Sequence, residues 1–174
     1  MTDEVERVQV YRHCPRCSAA RISIAPPRVD CAACGLTLYV NAAGAVAAIL
    51  VDSAERVLLI RRAHEPAQGK LGFPGGFVDV GETAEAALRR EIQEEVGLTV
   101  ERLDFLCSST NRYPFRGVIY PTLDLFFVAR LETFEGARAL DEVTAVETIL
   151  AADLRPDELA FDSMRTAWSA FLER

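Results

Sequence analysis

Residues 75–98 of the chain have the sequence GGFVDVGETAEAALRREIQEEVGL, which combines two local patterns. Its first part is rich in glycine, and a glycine lets a ligand approach the backbone closely because it has no side chain. Its second part has the apolar spacing of an amphipathic helix, which we predict from Thr83 to Val96, with Gly97 ending it. The stretch therefore predicts a glycine-rich loop that leads into a helix.

The predicted helix carries three carboxylates on one face. At roughly 100° per residue, Glu91, Glu94 and Glu95 fall within one arc beside an apolar stripe. Crowded carboxylates repel one another unless a cation balances them or a proton is taken up. Mg²⁺ or Mn²⁺ would resolve this repulsion, since both prefer oxygen ligands and are used by proteins to bind phosphates. The simpler interpretation is a solvated acidic helix face.

Neighbouring residues favour the metal site over the solvated face. Arg90 lies four residues before Glu94 and can fix its carboxylate. Glu82 lies at the predicted helix N-terminus, where a negative charge is favoured. Ala84 and Ala87 lie on the carboxylate face, so we expect room there for a bulky ligand. We therefore predict a divalent cation on this face.

The rest of the chain predicts further strands and a second helix. Continuous apolar runs indicate strands at 45–51, 57–60, 103–107 and 123–131, with a weaker one at 143–150. An amphipathic pattern predicts a final helix around 162–172.

Four of the five cysteines form two CxxC pairs. Cys14 and Cys17 make the first pair, Cys31 and Cys34 make the second, and 13 residues separate the pairs. Two such knuckles can present four thiolates to one ion, and a tetrahedral sulfur site favours a structural Zn²⁺. An iron or iron–sulfur site and four unrelated cysteines are the alternatives.

Length, composition and charge limit how many domains the chain can form and which classes of partner it can bind. The 174 residues are half hydrophobic, which suits one ordinary domain with a small appendage. We predict a zinc ribbon over 1–40 and a second domain over 41–174. The net charge of −7 disfavours general adhesion to nucleic acid or anionic lipid, although residues 1–40 hold five arginines against four acidic residues. Without a membrane-length apolar stretch or signal-like segment, we expect a cytoplasmic protein with no membrane partner.

The pattern from Gly76 to Leu98 resembles the Nudix box, G-x5-E-x7-R-E-U-x-E-E-x-G-U with U an aliphatic residue, at every specified position. The resemblance covers the chain from about residue 43 onward. It implies an α/β fold, the Nudix α/β/α sandwich with a mixed sheet, here preceded by the small zinc ribbon. It also implies a metal-dependent hydrolase, a pyrophosphatase that cleaves a diphosphate linkage in a small-molecule nucleotide substrate with catalytic Mg²⁺ or Mn²⁺.

The resemblance assigns roles to residues of the box. It implies that Glu91 and Glu95 are the principal metal ligands and that Glu94 joins them or serves as a base. The backbone carbonyl of Gly75 would be a further ligand, and Arg90 would orient the glutamates. Glu82 would hold the loop and the helix together.

The family also has a later acidic residue that often completes the metal set. Glu142 is our candidate, with Asp141 and Glu147 as alternatives. In the implied reaction, metal ions neutralise the diphosphate while one carboxylate takes a proton from the water that attacks phosphorus. Two monophosphates leave.

Cationic and aromatic residues outside the box are candidate substrate contacts. An arginine or lysine can contact phosphate, although surface solvation is the alternative, and an aromatic ring can stack on a flat base, although core packing is the alternative. The candidates are Arg61, Arg62 and Lys70 for phosphate, and Tyr113, Phe115 and more weakly Phe73 and Phe77 for the base.

A four-cysteine ribbon before a Nudix domain resembles the NADH pyrophosphatase group, and certain FAD or ADP-ribose pyrophosphatases share the layout. That NADH group has the motif SQPWPFP after the box, whereas residues 108–115 here are SSTNRYPF, which departs from it. We therefore expect a dinucleotide such as NADH or FAD, or ADP-ribose, as substrate. Two alternatives are removal of a nucleotide cap from RNA, with the ribbon's arginines touching the strand, and a non-catalytic nucleotide-sensing regulator. The oligomeric state stays open, with a homodimer among the options.

Overall fold

A computed structural model describes residues 5 to 174 of the chain. These residues form eleven strands, two α-helices and three short 3-10 helices. The strands are β1 Val5–Glu6, β2 Ile22–Ala25, β3 Arg28–Cys31, β4 Thr37–Tyr39, β5 Ala43–Val51, β6 Arg56–Arg62, β7 Leu71–Gly72, β8 Gly75–Phe77, β9 Asp104–Phe115, β10 Val118–Arg130 and β11 Val143–Leu150. The α-helices are α1 Ala84–Val96 and α2 Asp162–Leu172, and the 3-10 helices are Arg7–Val10, Ala151–Asp153 and Pro156–Glu158.

The chain divides into two compact units, which we call the first unit and the second unit. The first unit is Met1–Ala43 with Arg112–Thr122, and the second is Gly44–Asn111 with Leu123–Arg174. In the first unit, β2, β3 and β4 form an antiparallel three-stranded sheet. Its β1 runs parallel to the start of β10, with Val5 opposite Val118.

The second unit is built on a sheet in which β10, β5, β6 and β11 are neighbours in that order. Three further strands lie beside this path, since β9 pairs with β10, β7 with β6 and β8 with β5. The pairing of β6 with both β5 and β11 is antiparallel. Among residues 5–174, neither α1 nor α2 has the length and apolar character of a membrane-spanning helix.

Each face of this sheet is covered by one α-helix. Successive strand side chains point to opposite faces, so a strand buried on both sides is a continuous apolar run. In β5, Ala48 packs into the core with Leu88 of α1, whereas Ile49 packs into the core with Trp168 of α2. This arrangement confirms the α/β/α sandwich and explains why the 45–51 run is apolar without alternation. We call these two faces the α1 face and the α2 face.

The two helices lie as the sequence predicted, but the strands after α1 are longer than expected. Helix α2 has the predicted bounds, and α1 starts one residue later than predicted because Thr83 is its N-cap. Strands β9 and β10 extend into a polar and aromatic hairpin at 108–120, which the apolar runs did not mark. In this hairpin the two strands satisfy each other's backbone hydrogen bonds. The strands can therefore continue through residues whose side chains are polar, which an apolar pattern does not reveal.

A buried carboxylate anchors the start of α2. Ser163 is 1% exposed, and its hydroxyl donates to Oδ2 of Asp124 of β10 at 2.7 Å. An unpaired buried polar group is costly, so Asp124→Ala should lower the free energy of unfolding by about 1–3 kcal/mol. Chemical denaturation measures this change, and Asp157→Ala, at an exposed position, is the control that should change it little. Equal stabilities of the two variants would contradict the anchoring role.

Candidate functional site

Helix α1 is fixed at both ends and along one side, which sets the direction of its glutamates. The Thr83 hydroxyl accepts from the Ala86 amide at 3.2 Å, as expected for an N-cap. Gly97 ends the helix with a left-handed φ of +72°, and its amide donates to the Gln93 carbonyl at 3.1 Å. The predicted apolar stripe is fully buried in the α1-face core and consists of Leu88, Ile92 and Val96.

Two consecutive glycines of β8 bring the backbone against this helix. Gly75 has a φ of +151°, and a Cβ there would overlap the carbonyl of Val46 in β5. A Cβ on Gly76 would overlap the carboxylate of Glu91. The backbone of β5 therefore requires a glycine at Gly75, whereas a side chain at Gly76 would displace the Glu91 carboxylate.

Glu95 is a buried carboxylate that turns toward the glycine loop. It is 7% exposed, and the Gly75 amide donates to its Oε2 at 2.8 Å. Burial raises the pKa of Glu95 to about 8, and the negative charges of Glu91 and Glu142 add to this effect. The Gly75 amide and the positive charge of Arg62 oppose the rise in pKa. Burial also raises the pKa of Glu91 above its ordinary value.

Arg90 connects the loop to the glutamates. Its guanidinium donates to Glu82 through two nitrogens, each at 2.9 Å, and to Glu91 at 2.8 Å. It also donates to Glu94 at 3.1 Å and to the Phe77 carbonyl at 3.2 Å. The two bonds from Arg90 to Glu82, helped by a hydrogen bond from the Asp79 amide, lower the pKa of Glu82 to about 2. The predicted contact of Arg90 with Glu94 is present, and Glu82 ties the loop to the helix.

The start of β11 brings a fourth carboxylate to the glutamates. Glu142 has a left-handed φ of +55°, and its carbonyl accepts from the Ala63 amide at 3.0 Å. Its negative charge acts on both Glu91 and Glu95. Asp141 supports this turn, because its Oδ1 accepts from the Glu142 amide at 3.1 Å. Among the later acidic residues, Glu142 therefore fits the candidate position.

Glu147 and Arg61 lie away from the glutamates, which corrects two of our interpretations. Glu147 is opposite Leu59 in the β6–β11 register, and Leu59 belongs to the α2-face core. Strand alternation therefore places Glu147 on the α2 face. Arg61 is also on that face, where it pairs with Glu147 and donates to the Gly69 carbonyl at 2.6 Å. Neither residue can serve the α1 face in this arrangement.

Two further expectations fail because the side chains belong to the core. Phe73 is 1% exposed and packs against Trp168, with ring centroids 6.2 Å apart, so it offers no surface to a base. Ala87 is fully buried in the α1-face core. Its small size serves close packing of the helix on the sheet and does not create room for a ligand.

The remaining substrate candidates lie at the surface. Lys70 is exposed, just before β7. Tyr113 and Phe115 belong to the first unit, where their ring centroids are 6.4 Å apart. Phe115 is 40% exposed, and the guanidinium of Arg116 lies over its ring at 5.1 Å from the centroid. Phe77 is also 40% exposed. Their roles as substrate contacts stay predictions.

The four cysteines of the first unit converge on one point. Their sulfur atoms all lie within 4.8 Å of one another, with Cys14 to Cys34 and Cys17 to Cys31 both at 3.7 Å. A tetrahedral ion with metal–sulfur distances of about 2.3 Å requires sulfur atoms about 3.8 Å apart. In the described part of the chain, the glutamates of α1 do not converge as tightly as this cluster.

The two cysteine knuckles have matching backbone turns. The Ser18 amide donates to the Cys14 carbonyl at 2.9 Å, and the Gly35 amide donates to the Cys31 carbonyl at 3.0 Å. Ser18 and Gly35 have left-handed φ values of +59° and +72°. Equivalent turns on both sides of the cluster are what one shared ion requires, which supports the predicted ribbon.

The pKa of Glu95 predicts how stability varies with pH when no Mg²⁺ or Mn²⁺ is added. The folded-state pKa is about 8, above the ordinary value of 4.5. Glu95 therefore stabilises the fold fully below pH 4.5, and this contribution is lost as the pH rises to about 8. Thermal melting should show Tm falling across this interval, and Glu95→Gln should reduce the slope. An unchanged slope in the variant would contradict the buried, proton-holding Glu95.

Comparison with known proteins identifies the fold family. The NUDIX domain family model matches residues 42–167. A NUDIX hydrolase structure from Nitrosomonas europaea superposes with a TM-score of 0.74 at 22% identity, covering 94% of this chain and 91% of that chain. At this identity the likeness shows the fold.

Curated relatives align over the part of the chain that holds the box. ADP-ribose pyrophosphatase of Methanocaldococcus jannaschii is 44% identical over 84 residues, which are 47% of this chain and 49% of that protein. Human NAD(P)H pyrophosphatase NUDT13, mitochondrial, is 40% identical over 78 residues, 45% of this chain and 21% of that protein. NAD-capped RNA hydrolase NudC of Mycobacterium tuberculosis is 39% identical over 71 residues, which are 41% of this chain and 22% of that protein. The matches span about half of the first relative and about a fifth of the others. By the family match over residues 42–167, the chain belongs to the Nudix family.

Proposed function

We propose that the protein hydrolyses the diphosphate linkage of a nucleoside diphosphate-linked substrate and releases two monophosphates. The observation that carries the proposal is the buried Glu95, whose carboxylate lies against the Gly75 amide and near the charges of Glu91 and Glu142. Such a concentration of carboxylates beside a glycine loop suits a cation and a phosphate. The names of the relatives, ADP-ribose pyrophosphatase and NAD(P)H pyrophosphatase, support this reaction class.

The residues present fit a divalent cation. Without one, burial and neighbouring negative charge push Glu95 to hold a proton up to a pH of about 8, and a bound cation would replace that proton. All the side-chain donors are oxygens, which suit Mg²⁺ or Mn²⁺. Glu91 and Glu95 would be the main ligands, joined by Glu94, Glu142 and the Gly75 carbonyl. When bound, the cation would neutralise charge on the diphosphate.

Other residues of the chain would position the glutamates, accept a proton and hold a structural metal. Arg90 holds Glu91 and Glu94 in place through charged hydrogen bonds. The side chain of Glu94 is 51% exposed and therefore reachable by water, so we propose Glu94 as the carboxylate that accepts a proton from the attacking water. We also propose that the cysteine cluster holds a structural Zn²⁺, because its sulfur spacing matches that ion.

We infer that the substrate is ADP-ribose or a dinucleotide such as NADH or FAD. The test is a panel of NADH, NAD, FAD, ADP-ribose, diadenosine polyphosphates and nucleoside triphosphates, each with Mg²⁺ or Mn²⁺. The expected result is metal-dependent release of monophosphates from one dominant member. Absence of turnover for every member would overturn the proposal and favour a nucleotide-sensing regulator.

Removal of a nucleotide cap from RNA is a second candidate, favoured by the uneven charge of the chain. The first unit holds seven arginines against four acidic residues, whereas the chain as a whole has a net charge of −7. Clustered arginines bind a phosphate backbone in a salt-dependent way. The test compares turnover of free NAD with that of NAD-capped RNA at low and high salt, using Arg16→Glu and Arg21→Glu as variants at exposed positions. Equal turnover of both substrates would count against this candidate.

A further inference from the structure

The C-terminus of α1 is capped by the backbone of a later segment. The last four carbonyls of an α-helix have no partner within the helix and must bond to other groups or to water. The first of these four in α1, at Gln93, accepts from the Gly97 amide. The other three accept from amides of residues 138–141, which we call the cap segment. These bonds run from Arg138 to Val96 at 3.2 Å, from Leu140 to Glu95 at 3.0 Å and from Asp141 to Glu94 at 3.2 Å.

The cap segment leads directly into Glu142, and the backbone of Glu142 is bonded on both sides. Its amide donates to Oδ1 of Asp141 at 3.1 Å, and its carbonyl accepts from the Ala63 amide at 3.0 Å. Between these two bonds its φ of +55° is left-handed, and the chain turns from the end of α1 into β11, which starts at Val143. A left-handed backbone is unfavourable for a residue with a side chain. The turn at Glu142 therefore depends on the bonds around it.

The side chain of Glu142 needs this restraint because it is exposed. Its negative charge acts on Glu91 and Glu95, and like charges repel. On a flexible turn, an exposed glutamate would move its carboxylate away from the other two. Unfavourable backbone conformations persist at functional sites when the surrounding structure fixes them. The fixed turn thus keeps the Glu142 carboxylate near α1.

We propose that the cap segment positions Glu142 for the cation and that Asp141 is a positioning residue, which acts through the Glu142 amide and does not itself bind the cation. This proposal rests on the proposed function, in which Glu142 is a metal ligand. The contact of Asp141 uses one side-chain oxygen as an acceptor. Asparagine keeps such an oxygen without the charge, whereas alanine has none. The two replacements therefore separate positioning from direct binding.

The first measurement is the affinity of the full chain for Mn²⁺ without substrate, by electron paramagnetic resonance. Loss of an outer partner of a metal ligand costs about 10- to 100-fold in affinity, so Asp141→Ala should weaken Mn²⁺ binding by about tenfold or more, and Asp141→Asn by less than about threefold. Glu135→Ala is the matched control, because it removes an exposed acidic residue from the same connection between β10 and β11. Its affinity should equal that of the wild type. Thermal melting checks that each variant is folded.

Thermal melting also tests the left-handed turn itself. Glu142→Gly and Glu142→Ala both lose the carboxylate, but only glycine adopts a positive φ without a steric cost. Glu142→Gly should therefore melt at a higher temperature than Glu142→Ala. Equal melting temperatures would contradict the fixed turn and, with it, the positioning by the cap segment.

A double variant shows whether Asp141 acts through Glu142. Glu142→Ala should weaken Mn²⁺ binding at least as much as Asp141→Ala does, and adding Asp141→Ala to it should cause little further loss. Additive losses, unchanged affinity in Asp141→Ala, or an Asp141→Asn protein as weak as Asp141→Ala would overturn the positioning role alone. Unchanged affinity in Glu142→Ala, or no Mn²⁺ binding by the wild-type protein, would overturn the proposed metal site as well.

Discussion

Glu95→Gln is expected to lower kcat by about 10²-fold or more, because loss of even an outer partner of a metal ligand costs about 10- to 100-fold and Glu95 is proposed as a ligand itself. The amide keeps the size of the side chain but binds a cation less strongly than a carboxylate does. Glu95 is buried, and its Oε2 accepts a hydrogen bond from the Gly75 amide at 2.8 Å. Its replacement therefore also affects the position of the glycine loop. The measurement is the rate of monophosphate release at saturating metal.

Glu85→Gln is the matched control for this prediction. Glu85 is on the same helix but in its first turn, where it is exposed. The same chemical change there should leave kcat within about twofold. A Glu95→Gln protein that hydrolyses the substrate as fast as Glu85→Gln would contradict the assigned role of the buried carboxylate.

Cys31→Ser is expected to abolish stoichiometric zinc binding and to unfold the cysteine knuckles of the first unit. Structural zinc sites contribute about 10–16 kcal/mol in small zinc-binding peptides, far more than the few apolar side chains of such a segment can supply. Cys31 is 5% exposed and its sulfur lies 3.7 Å from that of Cys17. The measurements are metal content by mass spectrometry and the rate of proteolysis within residues 5–43.

Cys107→Ser is the control for the zinc prediction. Cys107 is the fifth cysteine, and it packs beside the α2-face core in the second unit. Its replacement should leave the zinc content at one ion per chain. Full zinc content in Cys31→Ser, or iron in place of zinc in the wild-type protein, would contradict the zinc assignment.

The helix and its carboxylate face were predictable because their signals are local. The Thr83 cap, the Gly97 stop and the buried Ile92 all follow from spacing along one segment. The cysteine cluster was predictable for the same reason, since two short knuckles fix four sulfur atoms. The Arg90 to Glu94 contact followed from a separation of four residues.

Positions that depend on which face of a strand a residue occupies were not predictable. Alternation along β6 does not by itself say whether Arg61 faces α1 or α2, and only the register of β6 with β11 places it beside Glu147 on the α2 face. Glu147 was assigned wrongly as an alternative ligand for the same reason. Phe73 follows a glycine in a loop-like segment, and its burial against Trp168 depends on a helix almost 100 residues later in the chain. Such tertiary contacts leave no mark in local sequence.

Metal-dependent hydrolysis at the carboxylates of α1 can be followed by ³¹P NMR of ADP-ribose incubated with the protein in ¹⁸O-water, with and without Mg²⁺. We expect the diphosphate resonances to be replaced by two monophosphate resonances only when the metal is present, and one product to carry ¹⁸O on phosphorus. We also expect Glu95→Gln to show almost no conversion in the same time. Conversion without added divalent metal, or equal conversion by Glu95→Gln, would contradict hydrolysis at the carboxylates of α1.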